Sequence, residues 1–574
     1  MTIRRRFLQM GARRVHYLRA GSGPPAVLIH SSPANAWFLR PEIERLSADY
    51  TVFAFDTPGF GLSEPLPLTT MIVADLADAL AQTLAAIDMP PCPIFGSHSG
   101  AAIALEFGVR HPERVTGLVL DGVPAFTTEE CDALFSDYFR PLPVTDLGGH
   151  YAEIWTRFRD QSVWFPWSQR EPQNLNAYDL GAPESTHLWA SMYFDAADTY
   201  RPAYRAASYY GARALAATAE LERPAIFTAT DTDMLFPHMA RLPPLKPGQE
   251  IRHIGILAAA KHDLIAEGFA RFGSPHPAPA DRDGLASTLG IARQFVDTAE
   301  GAQMHLRYAG DRNNPAVLLL HDAPFASEGL QALTAALSRR HFVLAPDLPG
   351  NGESDPFPAA EPTMADFADA AADLVRREGL GPIQVYGVGF GASVAVELAR
   401  RSPELVAGVM LGGLLAATAE ERLTLAEAYT PPIAIERDGA HWYRTWLMLR
   451  DSLVWWPWFD RRKATLRRTP EDFDAGRLHR CTLDVMRRHQ TYGCLAQAAF
   501  RHDAVAALAD LKVPAWRLAD APTPLSVYDD RLAELAPGLP VITSGRDEAA
   551  TAVALSHLFD HVPATRAQSA GALP

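Results

Sequence analysis

Cysteine and lysine are scarce in this chain of 574 residues, and neither forms a pattern typical of a site. Only four cysteines occur, and their spacing contains no CxxC motif or other ligand-like interval. That spacing argues against a zinc site and a disulfide framework, and it is typical of reduced thiols in a cytoplasmic protein. Only four lysines occur as well, so arginine carries nearly all of the positive charge.

An excess of positive charge and a long apolar run are also missing. The formal net charge is −15, which argues against nucleic acid and anionic membranes as partners, because both attract basic surfaces. No apolar run approaches the roughly 20 residues that a membrane-spanning helix needs. The start IRRRFLQM (residues 3–10) resembles a twin-arginine export signal, but polar, strand-like residues follow it, so we interpret it as part of the fold. We therefore expect a cytoplasmic protein that acts on a small molecule.

What the chain does contain is one pattern that occurs twice. AVLIHSSP (26–33) recurs as AVLLLHDAP (316–324), and FAFDTPGFGLSEP (53–65) recurs as LAPDLPGNGESDP (344–356). FGSHSGAAIALEFGVRHPERV (95–115) recurs as YGVGFGASVAVELARRSPELV, and HYAEIWTRFRDQSVWFPW (150–167) recurs as HWYRTWLMLRDSLVWWPW. The offset is 291 residues at four separate motifs, which predicts a tandem duplication.

Each copy alternates short β-branched runs with helical segments, which predicts an α/β fold with a mostly parallel sheet flanked by helices. Strands are predicted in the first copy at 25–30, 50–56, 92–97, 115–122 and 223–231, with an amphipathic helix at 69–88. We expect a first domain at 1–272 with a helical cap at about 126–210, a proline-rich linker at 273–289, and a second domain at 290–574 with a cap at about 417–500. The two domains are expected to contact each other as the partners of a homodimer do.

Both halves resemble capped members of the α/β-hydrolase superfamily. Three motifs carry the resemblance: His-x-x-Pro after the third strand, Asp-x-Pro-Gly-x-Gly-x-Ser after the fourth, and the Gly-x-x-x-Gly turn of a nucleophile elbow. The resemblance implies two tandem α/β-hydrolase domains without a cofactor or a metal. It does not imply the substrate, because this fold hosts hydrolases, dehalogenases, lyases and cofactor-free oxygenases.

The second copy lacks the residues that chemistry on this fold requires. Gly389 occupies the centre of its elbow, GVGFG, and no side chain there can attack a substrate. The segment due to carry the catalytic histidine, ITSGRDEAATA (542–552), contains none. The resemblance therefore implies that the second domain is catalytically inactive.

In the first copy the resemblance implies a base and an orienting acid. Asp233 stands four residues before a proline, as in the family's acid loop, and His262 stands just before the last helix, where the family has its base. We expect Asp233 to hold the His262 imidazole and stabilise its cation. Asp121, after the strand GLVL, is a reserve acid, since some family members carry the acid there; its alternative role is a turn-forming aspartate.

His98 stands at the centre of the first elbow, GSHSG, where the family has its nucleophile. Histidine tolerates the positive φ of this turn, whereas an unused residue should relax to glycine, as Gly389 does. Three uses are open: a nucleophile that forms an acyl-imidazole, an acid–base partner of His262, and, least favoured, a metal ligand with His262 and Asp233. A relic or a ligand-binding histidine is the alternative.

Ser97 and Ser99 flank the apex, where side chains point away from the pocket, so a shifted serine nucleophile is disfavoured. Ser99 is expected to lend its backbone N–H to an oxyanion hole, and the partner amide is expected at Ser31 or Ser32. In the cap, the motif that begins at His150 is shared by the inactive copy, which favours a structural role. The cap aromatics Trp189, Tyr193 and Phe194 are candidates for an apolar pocket, although core packing is the commoner role of such residues.

These residues favour hydrolysis of an ester, thioester or activated carbonyl of a mostly apolar small molecule. His98 would be nucleophile or base, His262 base, Asp233 orienter, and the amides of Ser31 and Ser99 the oxyanion hole. A cofactor-independent lyase or isomerase that uses His98 and His262 is the first alternative. A ligand-binding protein without catalysis is the second.

Overall fold

The computed structural model describes residues 2–176, 179–256, 258–281, 290–467, 473–519, 521, 523–543 and 548–561. Residues 282–289 of the predicted linker and residues 544–547 of the segment 542–552 lie outside these ranges. The chain divides into two compact units, one of residues 1–143, 150–284 and 437–439, the other of residues 144–149, 285–436 and 440–574.

The first unit contains an eight-stranded sheet in the order β1-β2-β4-β3-β5-β6-β7-β8. Its strands are β1 (Arg4–Met10), β2 (Arg13–Ala20), β3 (Pro25–Ile29), β4 (Thr51–Phe55), β5 (Cys92–Ser97), β6 (Val115–Asp121), β7 (Ala225–Ala229) and β8 (Gln249–His253). β1 and β2 pair antiparallel, β2 pairs antiparallel with β4, and the remaining strands are parallel. All five predicted strands are present, and the arginine-rich start forms β1.

Nine α-helices occur in the described part of the first unit. They are α1 (Arg40–Leu46), α2 (Val73–Ala86), α3 (Ser99–Arg110), α4 (Thr128–Phe135), α5 (Gly149–Val163), α6 (Pro183–Ala196), α7 (Arg201–Ser208), α8 (Gly211–Glu220) and α9 (Ala258–Phe272). Helices α4 to α7 lie between β6 and β7 and form the cap, as the aromatic-rich insertion predicted. The continuous apolar strands β3 to β7 are buried almost throughout, which fits parallel strands covered on both faces.

The second unit repeats this topology in the order β9-β10-β12-β11-β13-β14-β15-β16. Its strands are β9 (Ala292–Asp297), β10 (Gln303–Ala309), β11 (Ala316–Leu320), β12 (Phe342–Pro346), β13 (Ile383–Val388), β14 (Val406–Gly412), β15 (Ala515–Ala519) and β16 (Val541–Thr543). Its helices are α10 (Gln331–Leu337), α11 (Met364–Arg377), α12 (Phe390–Arg401), α13 (Ala419–Ala428), α14 (Ala440–Ser452), α15 (Ala475–Arg487), α16 (Cys494–Phe500), α17 (Ala504–Ala509), α18 (Asp529–Leu535) and α19 (Glu548–His561). The duplication read from the sequence is therefore a duplication of the whole fold.

Candidate active site

The sharp turn between β5 and α3 places His98 at its apex. His98 has φ 50° and ψ −108°, one of two non-glycine residues in the described chain with positive φ, and its amide donates to the Asp121 carbonyl over 2.7 Å. The flanking glycines are required by close packing, because a Cβ on Gly96 would overlap the Gly100 carbonyl and one on Gly100 would overlap the Ile29 carbonyl. The strained turn is thus held from both sides and presents the imidazole at the start of α3.

The His98 imidazole forms a hydrogen bond with the carboxylate of Asp233, which is an ion pair when the ring is protonated. Nε2 of His98 lies 2.7 Å from Oδ2 of Asp233, and Oδ1 of the same carboxylate accepts the Leu235 amide over 2.8 Å. Asp233 lies on the loop after β7, as the acid-loop motif predicted. The expectation that Asp233 would hold His262 is wrong: its carboxylate holds the residue at the elbow apex.

The charges of this pair are coupled. Burial lowers the pKa of His98, but the charge and hydrogen bond of Asp233, with a smaller contribution from Asp121, raise it by more, so the net pKa is raised. Burial raises the pKa of Asp233, but His98 and the Leu235 amide lower it by more, so the net pKa is lowered. Asp233 is therefore an anion at neutral pH, and it orients the ring and stabilises its protonated form.

His262 does not reach His98. Helix α9 begins at Ala258, so His262 lies inside the first turns of that helix and not on a loop before it. Its Nε2 lies 3.5 Å from Oε1 of Glu42. In the described chain no hydrogen bond joins His262 to His98 or Asp233, so the predicted Asp233–His262 pair and the two-imidazole acid–base pair are not formed.

Lys261, which the sequence analysis missed, occupies the space behind the elbow instead. Its Nζ lies 3.6 Å from Oδ2 of Asp121 and 3.4 Å from Oε1 of Glu42. Burial lowers the pKa of Lys261, but Asp121 and Glu42 raise it by more. The sequence did contain a signal for this residue: Lys261 is one of only four lysines in the chain, and it stands directly before the predicted base His262.

The carboxylate of Asp121 is a neighbour of this lysine, whereas the imidazole of His98 is bonded to Asp233. Its Oδ2 accepts the Ser97 hydroxyl over 3.1 Å, and burial raises the pKa of its carboxyl. It acts on His98 through space, by raising the pKa of the imidazole. The reserve role as a directly bonded acid is therefore not supported.

The amide that bonds to the first residue of α3 is that of Ser32, the second of the two serines considered for the oxyanion hole. The Ser32 N–H donates to Oγ of Ser99 over 2.7 Å, and the Ser99 hydroxyl donates to Oγ of Ser32 over 2.8 Å. The Ser31 carbonyl accepts the Ala34 amide and faces Nδ1 of His30. The Ser99 amide is the first of α3, where no intrahelical acceptor exists.

In the second unit a carboxylate occupies the corresponding hole. Oδ1 of Asp322 accepts the amides of Ala323 and Phe390, each over 2.9 Å, and Oδ2 accepts the Thr523 hydroxyl over 3.0 Å. A Cβ on Gly389, which has φ 58°, would overlap this carboxylate. Burial raises the pKa of Asp322 to about 6. The second elbow is glycine because the side chain of Asp322 fills the space that an apex side chain needs.

A small cavity lies between the first elbow and the cap. Its volume is about 50 Å³, which admits a group of a few atoms. On the elbow side it is lined by Ser32, His98 and Ser99, and the His98 side chain is 33% exposed. The other lining residues are mainly apolar: Pro124, Phe126, Phe135, Phe165, Tyr204, Ala207, Ser208, Met234 and Leu235.

The cap residues considered in the sequence are mostly core. Tyr193 and Phe194 are buried in the cap, and Trp189 packs on Phe38 and Phe158, so none of the three lines the cavity. His150 is buried beside Tyr151, and burial lowers its pKa to about 4. The neutral, enclosed ring of His150 fits a structural role, which the presence of the same cap motif in the second copy also favoured.

The described residues contain no group of three His, Cys, Asp or Glu side chains arranged to hold a metal ion. Within the same ranges, no helix has the length and apolar character needed to span a membrane.

Comparison with known families matches both halves. Residues 24–252 match the model described as alpha/beta hydrolase fold, and residues 317–570 match the model described as Alpha/beta hydrolase family. The first match begins just before β3 and the second begins within β11, so each includes the cap and leaves the first two strands of its sheet outside.

Individual relatives match shorter stretches. An uncharacterised hydrolase of Bacillus subtilis (strain 168) is 35% identical over 119 residues, which is 20% of this chain and 43% of that protein. Proline iminopeptidase of Arabidopsis thaliana is 28% identical over 163 residues, 27% of this chain and 38% of its own. A soluble epoxide hydrolase of Corynebacterium sp. (strain C12) is 31% identical over 138 residues, 24% of this chain and 46% of its own. The chain thus matches less than half the length of each of these relatives.

Among solved structures, the crystal structure of E-2-(acetamidomethylene)succinate hydrolase is 18% identical, covers 47% of this chain and 100% of its own, and has a TM-score of 0.38. A thermophilic esterase from Thermogutta terrifontis is also 18% identical, covers 48% of this chain and 100% of its own, and has a TM-score of 0.33.

Proposed function

The chain belongs to the α/β hydrolase family in both of its halves, and we propose that the first domain hydrolyses an ester, thioester or other activated carbonyl of a small, mostly apolar molecule. One observation carries the proposal: the residue at the elbow apex is an imidazole whose Nε2 is held by the Asp233 carboxylate at 2.7 Å. An aspartate on one ring nitrogen fixes the tautomer and leaves the other nitrogen to take a proton.

In this scheme His98 is the general base. With Nε2–H donated to Asp233, the lone pair of Nδ1 is available, since Nδ1 makes no hydrogen bond to any residue in the described ranges. Nδ1 takes a proton from a water molecule while the water oxygen bonds to the carbonyl carbon. The tetrahedral intermediate then breaks its bond to the leaving oxygen or sulfur, which receives the proton from Nδ1. Acid and alcohol, or acid and thiol, are the products.

The developing oxyanion would lie against the start of α3. The Ser99 amide supplies one donor at the positive end of the helix dipole. The Ser32 amide is engaged by Oγ of Ser99, but the Ser32 hydroxyl accepts from Ser99 and still has its own proton to donate. We therefore assign the second donor to the Ser32 hydroxyl and not to a Ser31 amide.

The test begins with a panel of p-nitrophenyl and thioester substrates of increasing acyl length, assayed with the wild-type protein and with His98→Gln. Turnover by the wild type that falls at least about 10²-fold in the variant is expected, since a general base contributes 10²–10⁴-fold. Absence of turnover across the panel, or equal turnover by both proteins, would contradict the proposal and favour a binding role.

Intact-protein mass spectrometry separates the base from a nucleophile. During turnover of a slow ester, a general base leaves the mass of the protein unchanged, whereas attack by His98 adds the acyl group to it. An acyl adduct that is missing in His98→Gln would replace the water mechanism with the acyl-imidazole route.

A further inference from the structure

Arg157 in helix α5 of the cap is a buried cation that forms no ion pair with any residue in the described part of the chain. It is 3% exposed, and neither Nη1 nor Nη2 has a hydrogen-bond partner in the described chain. Its guanidinium carbon lies between 4.5 and 5.8 Å from the centres of four aromatic rings, those of Tyr138, Phe158, Trp167 and Tyr193. Ring faces recover part of the cost of burying a guanidinium, but they leave its N–H donors unused.

A third unused donor lies in the same place. Nε1 of Trp167 is buried without a partner in the described ranges, and the Trp167 ring centre lies 5.3 Å from the Arg157 guanidinium carbon. We call Arg157 and Trp167 the cap donor cluster. The carboxylate of Asp160 on the same helix accepts Nε of Arg170 over 2.8 Å. The cluster therefore offers donors and positive charge but no acceptor.

The second domain lacks this cluster. At the offset of 291 residues Arg157 becomes Met448, and Trp167 becomes Trp458, whose Nε1 donates to the Tyr429 carbonyl over 2.8 Å. The same cap motif is thus completed by an apolar residue and a hydrogen-bonded indole in the domain that we expect to be inactive. The fold does not require the unmet donors, which points to a ligand in the first domain.

The cap donor cluster lies one layer of side chains behind the His98 cavity. The Tyr138 hydroxyl is 3.0 Å from the Tyr204 hydroxyl, and Tyr204 lines the cavity. Phe165, which also lines the cavity, packs on the Tyr138 ring at 6.2 Å between centres. A molecule whose carbonyl meets His98 would reach the cluster by separating the two tyrosine hydroxyls.

We propose that the cap donor cluster binds a carboxylate group, so that the first domain takes esters or thioesters that carry a free carboxylate on an apolar chain. The planar guanidinium matches the two oxygens of a carboxylate with two parallel N–H donors, and the indole N–H supplies a third. The ester or thioester part of this substrate class rests on the proposed hydrolysis; the carboxylate site does not.

Binding is measured first, without turnover, in the His98→Gln protein. Hexanoate and hexanamide have the same length and differ in charge, and the fluorescence of the chain's tryptophans reports occupancy beside Trp167. We expect hexanoate to bind at least about tenfold more tightly than hexanamide, since a charge-assisted contact exceeds a neutral one by about 1.4 kcal/mol or more. Equal binding of the two ligands would overturn the proposal.

Arg157→Met, the residue of the second copy, is the matched variant, and it should remove the preference for hexanoate. Trp167→Phe keeps a ring but deletes one donor, and should reduce the preference by a few-fold; this variant decides the matter if Arg157→Met does not fold. A preference that survives both substitutions would contradict the assignment.

The kinetic arm compares p-nitrophenyl hydrogen glutarate with p-nitrophenyl valerate in the otherwise wild-type protein. Arg157→Met should raise KM for the anionic ester and leave the neutral ester nearly unchanged. Carboxylate binding without turnover of either ester would keep the anion site and remove the hydrolase proposal. Turnover of both esters without a preference for the anionic one would keep the hydrolase proposal and remove the anion site.

Discussion

At the scale of single residues, the account depends on one interaction, between the imidazole of His98 and the carboxylate of Asp233. The carboxylate makes the ring a stronger base and fixes which nitrogen carries the proton. A histidine used only as a packing residue at a strained apex would not need a buried anion at 2.7 Å.

The first prediction concerns Asp233→Asn and the pH dependence of kcat/KM. Neutral His98 is the reactive form, so activity should rise with pH through the raised pKa of the imidazole and then level off. Removing the carboxylate removes the largest influence that raises this pKa and leaves burial, which lowers it. The acid limb should move to lower pH while the plateau falls by about 10²–10⁴-fold, because the tautomer is no longer fixed. An acid limb that stays in place would show that another group controls the profile.

The second prediction concerns Lys261, which stabilises two buried carboxylates. Lys261→Met would leave Asp121 and Glu42, which are 4% and 5% exposed, without their cation. Removing one partner of a buried ion pair costs roughly 3–5 kcal/mol, so calorimetry should show a clear fall in Tm. Lys246→Met is the control, since Lys246 pairs with the exposed Glu222 and should matter by less than about 0.5 kcal/mol. Equal Tm values for the two variants would contradict the role given to Lys261.

At the scale of elements, the two nucleophile-elbow turns share one backbone conformation but differ in the side chain that occupies the space at the apex. His98 and Gly389 share positive φ and the position before α3 or α12. In the first turn the apex side chain bonds to the loop after β7. In the second turn the side chain of Asp322, from the loop after β11, takes its place. The glycine at 389 is thus explained by a specific contact and not by drift alone.

This difference predicts a coupling between Gly389 and Asp322. Gly389→Ala should destabilise the protein, because its Cβ overlaps the Asp322 carboxylate and because alanine is strained at this φ. In the Asp322→Ala background the overlap is gone, so the same substitution should cost less, by about 0.5–3 kcal/mol. Scanning calorimetry of the four proteins measures this coupling. Strictly additive effects on stability would mean that the Asp322 carboxylate moves aside without a cost in free energy.

The sequence was sufficient to predict the secondary-structure elements, but it was insufficient to predict the hydrogen-bond and ion-pair partners of the site residues. Motif spacing located the strands, the elbow apex at His98 and the acid loop at Asp233, because these depend on local patterns of glycine, proline and apolar residues. It placed His262 wrongly, because the start of α9 four residues earlier turns that side chain toward Glu42. It also missed Lys261 and the occupation of the Ser32 amide by Ser99, since both depend on contacts between segments distant in sequence.

At the scale of the whole molecule, the duplicated fold occurs in two copies that differ at the elbow apex and in the hole beside it. The first has an open apex side chain, an acid partner and a cavity; the second has a glycine apex and an internal carboxylate on the amides of its hole. An internal anion in that hole excludes a substrate oxyanion by charge and by volume. This difference supports the proposal that catalysis takes place in the first domain.

The most direct test compares kcat/KM of two isolated substitutions, one in each domain, on the best ester of the panel. His98→Gln removes the apex imidazole, and Asp322→Asn keeps the shape of the residue in the second hole while removing its charge. The account predicts a loss of at least about 10²-fold for His98→Gln and activity within about twofold of the wild type for Asp322→Asn. Activity retained in His98→Gln, or lost in Asp322→Asn in a protein of unchanged Tm, would contradict it.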